Sequence, residues 1–87
     1  MSSDREWFFG VLDSYTRKQY ECFVAEMFLN DDQSKYVLCF RPVRTVSANQ
    51  YACRYLEVGV EDVKASHGDK VLTKSIIVGL RQLESLG

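Results

Sequence analysis

Two apolar stretches separated by a five-residue polar cluster limit what this chain can fold into more than any other feature. Residues 19–29 read Gln-Tyr-Glu-Cys-Phe-Val-Ala-Glu-Met-Phe-Leu, and residues 35–41 read Lys-Tyr-Val-Leu-Cys-Phe-Arg. Both are rich in β-branched and aromatic side chains, and neither holds an internal Gly or Pro, which is the composition of strands. Between them, Asn30-Asp31-Asp32-Gln33-Ser34 supplies side chains that bond to nearby backbone amides and tighten turns. The pattern predicts a β-hairpin. Both faces of the two stretches are apolar, which implies a sheet covered on more than one side or shared between copies.

Helical periodicity flanks this hairpin. From Lys70 to Leu86, Leu72, Ile76, Leu80 and Leu83 recur at i, i+4, i+8 and i+11 with Ile77 beside them, the stripe of an amphipathic helix. Gly68-Asp69 reads as its turn and N-cap, and Gly79 reads as a site of close packing against the sheet. Near the N-terminus, Trp7, Phe8, Val11, Leu12 and Tyr15 share one helical face, with Ser3 or Asp4 to cap it. Residues 4–16 therefore read as helix, with a strand as the alternative, since Trp-Phe-Phe-Gly-Val is β-prone. Tyr51 to Val60 reads as a third strand ending near Gly59. The alternative there is a capping box at Ser47–Gln50 opening a helix. The polar stretches Asn30–Lys35 and Ala65–Lys70 read as loops.

The fold class that follows is α+β, in α-β-β-β-α order. A three- or four-stranded, mainly antiparallel sheet packs against a C-terminal helix and an N-terminal helix. Eighty-seven residues make a single domain, 1–87, since domains run roughly 50–200 residues. Strand alternation nominates Phe23, Ala25, Met27, Val37 and Cys39 for the core, beside Leu56 and Val58 and the helical stripes.

Several chemistries lack the residues they need. The cysteines, Cys22, Cys39 and Cys53, are odd in number and show no C-x-x-C spacing, unlike a disulfide framework or a zinc site. Free thiols in a reducing cytoplasm are expected, with no metal and no cofactor. No apolar run approaches 18 residues, so no membrane span is expected, and the N-terminus does not read as a signal peptide. The glycines stand at 10, 59, 68, 79 and 87, which makes no phosphate-cradling loop. His67, the single histidine, reads as a solvated loop residue rather than a general base. No catalytic residue is assigned.

Eleven basic and twelve acidic side chains give a net charge of −1, without the basic excess of a dedicated nucleic-acid module. In element order and length the chain resembles double-stranded RNA-binding domains. That family meets phosphates through a basic cluster at the start of its last helix. Lys70 and Lys74 occupy that region here with Asp69 beside them, so the resemblance reaches element order and length alone.

The better lead is a basic-aromatic set: Arg41, Arg44 and Arg54 with Tyr36, Tyr51 and Tyr55. Arg and Tyr are the side chains that dominate protein interfaces, and they also stack on bases. The expectation is a non-catalytic interaction module that forms a homodimer or other homo-oligomer, binds a protein partner, or both. The alternatives are a nucleic-acid module using the Arg/Tyr surface and a small-molecule binder with a pocket between sheet and helix.

Overall fold

The computed structural model describes residues 3–44 and 53–85. Helix α1 spans Asp4–Tyr20, and Ser3 caps it by accepting the Glu6 amide on its hydroxyl at 3.1 Å. Asp4 and Glu6 lie in its first turn and Arg17 and Lys18 in its last, each sign placed to complement the helix dipole. Glu21 ends the helix in the left-handed region at φ 55°, returning its amide to the Thr16 carbonyl.

The predicted hairpin follows. Strand β1 (Cys22–Leu29) pairs antiparallel with β2 (Lys35–Pro42), and β2 pairs antiparallel with β3 (Arg54–Gly59), giving the sheet order β1-β2-β3. In the turn between β1 and β2, the Asn30 side-chain carbonyl accepts the Ser34 and Lys35 amides, and Asp32 accepts the Ser34 amide and hydroxyl. These bonds hold the Asp32 carboxyl below its ordinary range. Helix α2 (Val60–Asp69), helix α3 (Lys74–Leu80) and a 3₁₀ turn (Arg81–Ser85) complete the described chain.

The α+β class and the order of the predicted elements hold, with three corrections inside them. Ala65–Lys70, read as a loop, is mostly the second half of α2, and Lys70 is that helix's left-handed cap at φ 56°. The C-terminal helix begins at Lys74 with Thr73 as its N-cap, so Gly68-Asp69 closes one helix instead of opening the next. At Gly79, an added Cβ would meet nothing within 4 Å, so close packing does not explain that glycine. The capping box weighed at Ser47–Gln50 lies outside the described residues.

The core joins all three helices to one face of the sheet. Phe8 and Leu12 of α1, Val63 of α2, and Ile76 and Leu80 of α3 pack with Val24, Met27, Leu38, Phe40, Leu56 and Val58. Four of the strand residues assigned to the core by alternation, Phe23, Ala25, Val37 and Cys39, therefore lie outside this cluster. On β2 the inward side chains are Tyr36, Leu38 and Phe40, and Val37 and Cys39 point to the other face. On β1 the ladder slips between Val24 and Glu26, which leaves Ala25 as an extra residue. Such a bulge lets Val24 and Met27, three apart, both face inward. Phe23 is left on the outer face.

Side chains of α1 also cover the free edge of β1. The Asp13 carboxylate accepts the Val24 amide at 3.0 Å, and the Arg5 guanidinium donates to the Met27 carbonyl at 2.7 Å. Both backbone groups point away from β2, where an unpaired edge would otherwise recruit another strand. Helices α1 and α2 are clipped together by His67 Nδ1 against Asp4 Oδ1 at 2.6 Å, with the His67 ring stacked on Trp7 at 4.9 Å.

Replacing Asp13 by Ala removes the acceptor for a buried amide. We expect Asp13→Ala to lose about 1–2 kcal/mol of stability, read from the midpoint of urea unfolding. Asp31→Ala, in the exposed turn, should leave that midpoint in place. Equal midpoints for the two variants would show that the edge contact contributes nothing.

Candidate interaction face

No described helix covers the outer face of the sheet, which carries three cross-strand rows of side chains. The register sets Phe28 beside Val37 and Glu57, then Glu26 beside Cys39 and Tyr55, then Phe23 beside Arg41, with Cys53 immediately before β3 on the far side of Arg41. None of these side chains belongs to the core cluster. Phe28 is 46% exposed and Tyr55 59% exposed, whereas Val37 is half-buried. Cys39 is only 2% exposed, screened by the side chains around it.

Charges on this face are mixed in sign. Lys35 and Arg41 stand against Glu26 and Glu57, and Lys35 reaches Glu57 at 3.7 Å. Both partners of that pair are half in water, so it adds little to stability. At the margin, the Arg17 guanidinium lies 5.3 Å above the Phe23 ring and pairs with Asp13 at 2.8 Å.

A small thiol cluster occupies the middle of the face. The Tyr55 hydroxyl donates to the Cys39 sulfur, which holds the Tyr55 phenol above its ordinary value. Burial pushes the Cys39 thiol up most strongly, and contact with Cys53 pushes the same way; bonds from Tyr55 and Arg41 pull it partly back. On the opposite side of the sheet, burial likewise raises the Cys22 thiol, which donates to the Tyr20 carbonyl at 3.3 Å. All three cysteines are free thiols. Among the described residues, no three His, Cys, Asp or Glu side chains converge on a point where a metal would sit.

The six residues nominated from sequence separate. Arg41 and Tyr55 share the outer face, one row apart. Arg44 lies beyond the end of β2, beside Arg17, Glu21 and Val43. Tyr36 is 8% exposed and packs in the core, and Arg54 sits opposite Phe40 on the core-facing side. Tyr51 lies outside the described residues. Sequence reasoning passed over Phe28 and Glu57 and placed Val37 in the core. Only the register, which depends on the bulge, brings these three together.

One groove runs between β3 and α3. It encloses about 300 Å³ and is lined in part by Glu57, Gly59, Asp62, Ile76, Gly79 and Leu80. The lining holds neither His67 nor a cysteine, so it offers no thiol or imidazole to a bound molecule. Among the described residues, no helix is long and apolar enough to cross a membrane.

Comparison with protein-family models, with curated proteins and with solved structures finds no match to this chain.

Exposure and burial separate the three thiols. Iodoacetamide should alkylate Cys53 first, with Cys22 and Cys39 slower by about tenfold or more until the chain unfolds. Peptide mapping after timed quenching reads the order. Equal rates at Cys39 and Cys53 would contradict the screening described above.

Proposed function

We propose that the chain is a non-catalytic interaction module that self-associates through the outer face of its sheet. The observation that carries this reading is an apolar and aromatic cluster, Phe28 beside Val37 with Tyr55 in the next row, on a sheet face that no described helix covers. Apolar side chains left on one face of a sheet lose the free energy of burial until another surface covers them. The charge pattern favours a second copy as the occupant. Two cations and two anions on the same face, Lys35 and Arg41 with Glu26 and Glu57, make it complementary to itself when rotated about a two-fold axis. The net charge of −1 sets up little repulsion between copies.

The size of the face sets the strength. Three strands of eight residues or fewer span roughly 14 by 26 Å, below the roughly 800 Å² per partner of a standard stable interface. Association is therefore concentration-dependent, with packing of one sheet on another.

Light scattering on a size-exclusion column, over a range of protein and salt concentrations, should give a mass rising toward twice that of one chain. Phe28→Asp should weaken that association by tenfold or more. Val78→Asp, on the exposed side of α3, should leave it unchanged. A monomer at every concentration, or a dimer indifferent to Phe28→Asp, would overturn the proposal. A monomer whose mass rises with single-stranded nucleic acid at low salt and falls back at high salt would assign Arg41 and Tyr55 to base stacking instead.

A further inference from the structure

Cys39 lies on β2, and Cys53 stands immediately before β3 beside it. Cys39 is paired with Tyr55, and Cys53 stands two residues before Tyr55 along the chain. That makes the two cysteines diagonal cross-strand neighbours, whose α-carbons lie about 7–8 Å apart in an untwisted ladder. The backbone bond from the Val60 amide to the Ser34 carbonyl fixes the ladder's parity. Cys39 and Tyr55 form a non-hydrogen-bonded pair, the kind whose side chains stand closest. Cys53 stands close enough to the Cys39 sulfur to push its thiol up. A disulfide needs α-carbons within about 6.8 Å. Cys53 precedes β3 and belongs to no described strand, so its backbone is free of ladder bonds that would resist the short approach.

From this geometry we propose that Cys39 and Cys53 are a reversible thiol–disulfide pair, oxidised by hydrogen peroxide. Cys53 is the exposed member and meets the oxidant. Its thiolate attacks one peroxide oxygen, the O–O bond breaks, and one water leaves, giving a sulfenic acid on Cys53. The Cys39 sulfur then attacks the Cys53 sulfur, the S–O bond breaks, a second water leaves, and the S–S bond forms. The two sulfurs are oxidised and the peroxide is reduced. Burial keeps Cys39 from competing for oxidant and pushes its thiol up, and bonds from Tyr55 and Arg41 offset part of that rise. Cys22 takes no part, being fully buried on the opposite face of the sheet. The pair lies in the rows of Tyr55 and Arg41, with Cys53 at the end away from Phe28, and its oxidation does not depend on self-association.

The test uses the intact 87-residue chain and hydrogen peroxide. Intact-mass measurement should show the loss of two hydrogens, reversed by a dithiol reductant. A non-reducing peptide map should join the Cys39 and Cys53 peptides while Cys22 stays fully alkylatable once the chain is unfolded. Cys53→Ala should abolish the mass loss and leave Cys39 alkylatable after unfolding. Stable sulfinic acid on Cys53 with Cys39 still free would overturn the proposal. So would disulfides joining two copies through Cys53.

Discussion

The extra residue at Ala25 decides what each face of this sheet displays. Before it, Cys22 and Val24 face the helices. After it, Met27 does, while Glu26 and Phe28 turn outward. Without the slip, strict alternation would put Phe28 on the helix side and Met27 in water. The same irregularity brings the Val24 amide and the Met27 carbonyl to the strand's free edge. There Asp13 and Arg5 of α1 bond them. One local departure from the ladder thus anchors the N-terminal helix, closes one edge and selects the side chains of the outer face.

That dependence explains what was legible in the sequence. The hairpin was readable because turn chemistry at Asn30–Ser34 and strand composition on either side agree, and agreement across levels is what specifies structure. Helix α1 was readable from its apolar face and its Ser3 cap. Helix α2 was not, because it buries just Val63 and Ser66, too few to print a 3.6-residue period, and it carries Gly68 near its end. What stabilises it is tertiary: the Ser66 hydroxyl accepting the Thr73 amide at 3.1 Å, and His67 held between Asp4 and Trp7. The outer face was the least legible part. Tyr36-Val37-Leu38-Cys39-Phe40 is apolar at every position, so composition cannot say which alternate set points inward. That choice is made by pairing with a bulged neighbour. Tyr36 was therefore nominated for the surface and Val37 for the core, the reverse of their places. Arg41 and Tyr55 were nominated for a shared surface and share one.

The two edges of the sheet are managed differently. Side chains of α1 close the β1 edge, whereas the outward amides and carbonyls of Tyr55 and Glu57 on β3 make no backbone hydrogen bond to a described residue. The acidic groove beside α3 follows that edge. Contact through the face and contact through the edge would make different complexes. Packing on the face would bury Phe28, Val37 and Tyr55 between two sheets. Pairing at the edge would extend one sheet and leave those side chains in water.

Nuclear Overhauser contacts filtered for pairs between isotope-labelled and unlabelled copies separate these complexes directly. The account predicts contacts from the Val37 methyls of one copy to the Phe28 and Tyr55 rings of the other, with none involving the helices. Contacts between the α-protons of two β3 strands, with the Val37 methyls silent, would contradict it and move the interface to the sheet edge.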